Sequence, residues 1–204
     1  LGNIGPAAAR PVMEGKAVLF KRFGDVDAFP ICLDTQDTEE IIETVIRIAP
    51  AFGGINLEDI AAPRCFEIEA RLNDALDIPV FHDDQHGTAI VVLSGIINAL
   101  RLTGKDTTAR VVVNGAGSAG IAIAKLLLSY GFENVTMCDI RGILSSAYEG
   151  MNDAQRAMLA VTNLDDAQGT LVDAMAGADI VIGVSAPGAI TGEMVASMAD
   201  DAIV

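Results

Sequence analysis

Apolar and polar positions along the first eighty residues alternate in a pattern typical of an α/β protein. Short apolar runs of strand length take turns with longer segments whose apolar residues recur at helical spacing. The short runs are 17–20, 28–33, 54–57 and 78–81, and the helical segments are 38–49 and 63–76. The pattern therefore predicts strands joined by packed helices.

The second half of the chain predicts the start of a doubly wound sheet. An almost wholly apolar segment at 88–102 predicts a buried helix, which gives way to a polar stretch. Strands are then predicted at 109–113, 135–138 and 179–183, and helices at 121–130, 152–160 and 169–176. We place the domain boundary near Asp84, which divides the chain into 1–84 and 85–204.

Composition narrows the class of protein. With 204 residues and 51% hydrophobic content, the chain can bury a large core. The net charge of −15 argues against nucleic acid and anionic membranes as partners. The apolar segment at 88–100 falls short of the roughly 20 residues that a membrane span needs, so no transmembrane helix is expected. Three cysteines without paired spacing (Cys32, Cys65 and Cys138) and no signal-peptide pattern favour a cytoplasmic location.

Both ends of the sequence suggest a piece of a longer chain. It begins with Leu1 rather than Met, its first residues resemble the middle of a loop, and residues 201–204 resemble a strand that is just starting. We therefore expect a fragment that lacks both termini.

A glycine-rich turn is the clearest binding motif. The sequence Gly115-Ala116-Gly117-Ser118-Ala119-Gly120 follows a valine-rich strand and opens a helix, and Asp139 ends the next strand. In dinucleotide-binding folds such glycines allow a tight turn, close approach to the pyrophosphate and close packing of helix on strand. An ordinary strand-turn-helix is the alternative, but it does not explain Asp139.

The residues after the turn leave the coenzyme open between NAD and NADP. Asp139, as acceptor for the ribose hydroxyls, favours NAD, because a 2′-phosphate would meet a like charge. Arg141 could instead pair with that phosphate or remain solvated. Ser185 lies in the small-residue loop 183–188, which either holds the nicotinamide ribose or is a plain turn.

Two acidic pairs, Glu58-Asp59 and Asp83-Asp84, each follow an apolar run of strand length. The carboxyl ends of strands in open α/β sheets face the ligand crevice, so both pairs could reach one place. Carboxylate oxygens in that number suit Mg²⁺ or Mn²⁺. The alternatives are a helix cap for Asp84 and a solvated loop for the first pair.

Three further polar residues accompany these pairs. His82 and His86 flank the second pair and could be metal ligands or acid–base groups, although packing or loop roles are commoner. Lys16 precedes the predicted strand at 17–20. Most lysines are solvated, so position alone does not make Lys16 catalytic.

With these residues assembled, the chain resembles the malic enzymes, in particular the compact bacterial type. The matching segments are LGNIGP (1–6), PVMEGK (11–16), FGGINLEDI (52–60), FHDDQHGTA (81–89) and GVSAPG (183–188). The resemblance implies a substrate and metal domain followed by a Rossmann-type NAD(P)-binding domain. It also implies oxidative decarboxylation of malate to pyruvate and CO₂, and generally a homo-oligomer of two or more copies.

The resemblance implies different roles for Lys16 and for the four carboxylates of the two acidic pairs. Glu58, Asp59 and Asp84 are expected to hold the metal, Lys16 to act as general base, and Asp83 to orient Lys16. The family's acid, a tyrosine, lies upstream of this sequence, as do its substrate arginines, and an Asn-Pro segment is expected downstream. Neither tyrosine present here lies in a matching segment, so we expect the 204-residue piece alone to be inactive on malate.

Two other functions stay open on the sequence. A malolactic enzyme uses the same lysine, metal and NAD site to make lactate, and no residue here excludes it. A non-catalytic regulatory module that keeps the dinucleotide fold is the other alternative. Intact Lys16, Asp83 and metal ligands argue against that module.

Overall fold

The computed structural model describes residues 4–204, and the chain divides into two units, 1–81 and 82–204. The predicted boundary at Asp84 lies in the turn that opens the second unit. Each unit combines helices with strands, and most of these strands are connected through helices. The α/β class predicted from the pattern is confirmed.

The first unit contains three helices and two short strands among its described residues. They are α1 (Pro6–Gly24), α2 (Thr38–Ile48), β1 (Ile55–Leu57), α3 (Arg64–Ala75) and β2 (Val80–His82), the last ending one residue past the unit. Apolar faces of α2 and α3 pack on the strands through Ile41, Ile42, Val45, Leu57, Ile68, Leu72 and Val80. The N–H of Ile55 donates to Pro79 O at 2.9 Å. Since this bond joins the starts of β1 and β2, the two strands run in the same direction.

Two predicted runs of the first unit were wrong. The 17–20 run lies inside α1, so Lys16 sits within a helix rather than before a strand. Four apolar residues cannot distinguish strand from helix by periodicity, and here helix-forming residues flank them. The 28–33 run forms no regular element, and Pro30, which cannot donate to a ladder, interrupts it.

The second unit is built on a four-stranded sheet in the order β5-β4-β3-β6. Its strands are β3 (Arg110–Asn114), β4 (Asn134–Asp139), β5 (Gly142–Ile143) and β6 (Ile180–Gly183). β3 pairs in parallel with both β4 and β6, with Val111 opposite Val135 on one side and Ile180 on the other. β5 is antiparallel to β4 and was not predicted, because two residues carry no periodic signal.

The helices of the second unit are α4 (Thr88–Thr103), α5 (Ser118–Tyr130), α6 (Asp153–Met158), α7 (Leu171–Met175) and α8 (Gly192–Ala196). Part of the core lies where α7 packs near β3 and β4, and includes Val112, Cys138, Ala174, Met175 and Val181. Burial, with the nearby Asp139 charge, raises the pKa of Cys138 to about 12, so its thiol stays protonated. A buried, protonated thiol packs in the core as a small apolar side chain.

Helix α4 differs from the predicted buried helix. Only Ala89, Ile96 and Leu100 are buried, whereas Val91 and Leu102 are 70% and 89% exposed. A π-helical turn, Asp83–Gly87, extends the helix backwards to a 21-residue run, Asp83–Thr103. By length and composition alone that run could cross a membrane, which corrects the length estimate made from the apolar residues. A single helix of this kind is weak evidence for a membrane span, because core helices of soluble proteins pass the same test.

Candidate coenzyme and metal sites

The glycine-rich turn joins β3 to α5, as the motif predicts. Gly115 has φ +125°, and a Cβ there would lie 2.8 Å from the carbonyl group of Val184. Its N–H donates to Cys138 O at 2.8 Å, which ties the turn to the neighbouring strand. Only glycine fits both this backbone angle and this approach.

The next two glycines differ in their surroundings. A Cβ on Gly120 would overlap Gly115 O and lie 2.9 Å from its carbonyl carbon, so α5 packs against the turn only without a side chain there. Gly117 is exposed and has no atom within 4 Å of its Cβ position. Among the described residues, no side chain caps α5. The backbone N–H groups of the first turn of α5, starting with those of Ser118 and Ala119, could therefore bind an anion such as a pyrophosphate.

Asp139 lies at the end of β4 and is half-buried. Its Oδ1 accepts from the backbone N–H of Arg141 at 2.9 Å and from the hydroxyl of Tyr148. Burial and this bond to Asp139 raise the pKa of Tyr148 to about 12, so the phenol remains a donor. Sequence reasoning missed Tyr148, because no spacing rule connects a loop tyrosine with the strand-end aspartate.

The Arg141 guanidinium is engaged within its own loop. Its Nη1 donates to Glu149 O at 2.9 Å, and its Cζ lies 5.9 Å from the centroid of the Tyr148 ring. At that distance the cation can interact with the face of the ring. Tyr148 thus contacts both Asp139 and Arg141, the two residues that left the choice between NAD and NADP open in the sequence.

A surface cleft of about 430 Å³ lies at the ends of β3 and β6. It is lined by Asn114 and by residues 183–190, which include the predicted Ser185. The Asn114 amide donates to Ser185 Oγ at 3.0 Å, and the Val184 N–H donates to Asn114 O at 2.9 Å. Sequence reasoning missed Asn114, although its position at a strand end beside the glycine turn was a usable signal.

In the first unit, Glu58 and Asp59 directly follow β1. Asp59 has φ +55°, so the chain turns here, and an oxygen of each carboxylate lies within 4.8 Å of the other. The side chain of Lys16, from α1, donates to Glu58 Oε2. Side-chain exposures of 22% for Lys16 and 20% for Glu58 place the pair in a partly shielded position. Two carboxylates and an ammonium group therefore gather at the end of β1.

In the second unit, Asp83 and Asp84 open the π-helical turn that follows β2. An added Cβ on Gly87 would lie 2.5 Å from Asp83 Oδ1, so the glycine leaves room for that carboxylate. His82 is fully buried and His86 half-buried. Within the described residues no side chain caps α4, so the alternative of Asp84 as a helix cap is not observed.

Comparisons with known proteins match both units to the same family. The family model described as malic enzyme, N-terminal domain, matches residues 1–73, and that described as malic enzyme, NAD binding domain, matches residues 85–202. The chain is 58% identical to a bifunctional malic/malolactic enzyme of Bacillus subtilis, over 100% of this chain and 50% of that protein. It is also 58% identical to an NAD-dependent malic enzyme of Geobacillus stearothermophilus, over 100% of this chain and 43% of that protein.

Solved structures agree with these relatives. A crystal structure of an NAD-dependent malic enzyme from Thermotoga maritima is 50% identical with a TM-score of 0.94, over 98% of this chain and 54% of that one. A malic enzyme structure from Pyrococcus horikoshii is 46% identical with a TM-score of 0.95, over 100% of this chain and 50% of that one. The chain thus spans about half the length of each of these four proteins.

Proposed function

This chain belongs to the malic enzyme family, and we propose that the protein containing it converts malate to pyruvate and CO₂ with NAD or NADP and a divalent metal. The observation that carries this proposal is the contact of Lys16 with Glu58 beside Asp59. A cation-binding carboxylate pair and an amine then lie at one strand end. That combination suits removal of a proton from a hydroxyl group held near a metal.

We propose that Glu58, Asp59 and Asp84 hold the metal ion. Oxygen donors alone suit Mg²⁺ or Mn²⁺, and the closeness of the Glu58 and Asp59 carboxylates favours a cation there. Asp84 follows β2, the parallel neighbour of β1, by two residues, which supports its inclusion in the set. When bound, the metal would supply Lewis-acid polarisation of the substrate oxygen.

Lys16 is proposed as the general base that accepts the proton of the malate hydroxyl. In this role its side chain acts as a neutral amine, a form that a cation bound beside it at Glu58 and Asp59 would favour. Its helical position in α1 holds the amine on a rigid element, and the Glu58 contact orients it. Asp83 is proposed to orient Lys16 further. This role rests on the family resemblance.

The second unit is proposed to bind the coenzyme, with 1–84 as part of the substrate and metal domain and 85–204 as part of the NAD(P)-binding domain. Asp139 would bind the adenosine ribose, and Ser185 the nicotinamide ribose in its cleft. The pyrophosphate would lie at the turn formed by Gly115, Gly117, Ser118, Ala119 and Gly120.

A second candidate is malolactic conversion of malate to lactate and CO₂. The specific observation in its favour is that one relative at 58% identity is described as a bifunctional malic/malolactic enzyme. The two reactions differ in products, because only the oxidative one accumulates reduced coenzyme.

The test is an assay of the full-length protein with malate, Mn²⁺ and either coenzyme, with product analysis. Pyruvate and reduced coenzyme in equal amounts support the proposal, whereas lactate without reduced coenzyme supports the second candidate. Absence of both products, with coenzyme binding retained, would point to a non-catalytic module.

Location and assembly are proposed on separate grounds. The excess of acidic residues and three cysteines without paired spacing suit a soluble protein of the reducing cytoplasm. A homo-oligomer of two or more copies is proposed on the family resemblance alone. Light scattering of the full-length protein measures the number of copies.

A further inference from the structure

The loop that follows β5 brings a tyrosine to the ribose-binding end of the second unit. Tyr148 is half-buried and donates its hydroxyl hydrogen to Asp139 Oδ1. The Arg141 N–H donates to the same oxygen at 2.9 Å. Oδ1 therefore has two donors that hold the carboxylate in one orientation.

The other oxygen of Asp139 accepts no hydrogen bond from the described residues. An anchored carboxylate with one remaining acceptor oxygen suits the vicinal hydroxyls of an unmodified ribose. A 2′-phosphate at the same position would meet the negative charge without a donor from Asp139.

Arg141 is the residue that could offset that repulsion, and it is already engaged. Its Nη1 donates to Glu149 O, and its guanidinium lies over the Tyr148 ring. A side chain on Gly150 would come within 3.1 Å of Nη1, so the loop backbone closes around the guanidinium. These contacts hold the guanidinium in its own loop beside Glu149 and Tyr148, and they use one of its five N–H donors.

We propose that Tyr148 is a positioning residue that makes the coenzyme site selective for NAD over NADP, by orienting Asp139 with its hydroxyl and holding Arg141 with its ring. This inference rests on the proposed function and names its coenzyme. The raised pKa of Tyr148, about 12, supports it, because the hydroxyl remains a donor at every pH at which the enzyme would be assayed.

The test compares Tyr148→Phe with wild type in the full-length protein, using kcat/KM for NAD and for NADP. Wild type is expected to favour NAD by at least about tenfold, the effect of one hydrogen bond to a charged group. Tyr148→Phe keeps the ring under Arg141 but loses the hydroxyl, so NAD efficiency should fall about fivefold or more through KM. NADP efficiency should not fall with it.

Tyr130→Phe is the matched control. Tyr130 ends α5, is 45% exposed, and its ring lies 6.3 Å from that of Phe132. The same chemical change there should leave the NAD to NADP ratio within about twofold of wild type, since the residue contacts neither Asp139 nor Arg141.

A second variant, Asp139→Ser, removes the charge and should reverse the preference towards NADP. The inference is overturned if wild type prefers NADP, or if Tyr148→Phe lowers kcat/KM for NAD and kcat/KM for NADP by the same factor. If wild type turns over no malate with either coenzyme, the proposed function fails instead. Dissociation constants for NAD and NADP, measured by calorimetry on the same proteins, then test the selectivity by the same criteria.

Discussion

Gly120 and Gly117 offer a sharp test, because the same substitution should affect stability at one position and coenzyme binding at the other. Gly120→Ala places a methyl group into Gly115 O, a backbone atom that cannot rotate away. Gly117→Ala places it in open space at the start of α5. The two variants are thus matched controls for each other within one turn.

The expected magnitudes follow from those surroundings. Overpacking costs about 1–3 kcal/mol, and a backbone obstacle puts Gly120→Ala at about 3 kcal/mol of unfolding free energy. In a full-length protein of about 400 residues, its melting temperature should fall by about 3–4 °C. Gly117→Ala loses only a favourable helix-cap residue, worth about 1 kcal/mol or less. Its methyl group, however, occupies the space that a pyrophosphate would approach, so the NAD dissociation constant should rise about tenfold or more.

Thermal melting of the full-length protein and calorimetric titration with NAD measure both quantities on the same samples. If Gly120→Ala melts within about 1 °C of wild type, the packing argument is wrong. If Gly117→Ala binds NAD as wild type does, the pyrophosphate does not approach this turn, and the coenzyme assignment loses its main support.

Three further predictions concern charged groups. Lys16→Ala should lower malate turnover about a hundredfold or more, whereas Lys21→Ala on the same helix removes only exposed ion pairs and should stay within about twofold; equal effects would remove Lys16 from the mechanism. Asp84→Asn should raise the Mn²⁺ concentration needed for half-maximal activity about tenfold or more, and an unchanged value would exclude it as a ligand. Asp179 accepts from Lys105 at 2.7 Å, and this bond lowers the pKa of its carboxyl group. Asp179→Asn should therefore cost about 1 kcal/mol of stability at neutral pH. Because the folded-state pKa is lowered, this stabilisation is complete above the unfolded value of about 4 and is lost as pH falls through the lower folded-state pKa. The difference in unfolding free energy between wild type and Asp179→Asn, measured by urea unfolding, should shrink over that range.

Much of the second unit could be predicted because its signals are local. Valine-rich runs, the glycine turn and the helix after it each lie within a few residues, and they correspond to β3, the turn and α5. The first unit was harder at its start. The apolar run at 17–20 belongs to α1, in which no described residue is buried, so the usual one-sided helical pattern was missing.

Among the predicted site residues, too, the positions with a local sequence signal could be predicted and their distant contacts could not. Strand ends were correctly identified as the places where Glu58 and Asp139 lie, because apolar runs end there in the sequence. Their partners were not predictable by spacing. Lys16 contacts Glu58 across 42 residues of sequence, and Tyr148, which lies in no segment that matches the family, donates its hydroxyl hydrogen to Asp139. Such contacts depend on the path of a loop or helix, which periodicity does not describe.

By itself, the sequence determined the α/β class, the glycine-rich turn between strand and helix, the acidic pairs and the family, because these depend on residue types at short, fixed separations. Only the tertiary structure decided that Glu58 contacts Lys16, that Asp139 is held by Tyr148, and that Arg141 is engaged by Glu149 O. The physical reason is that a hydrogen bond requires donor and acceptor within about 3 Å, and packing of separate segments sets that distance.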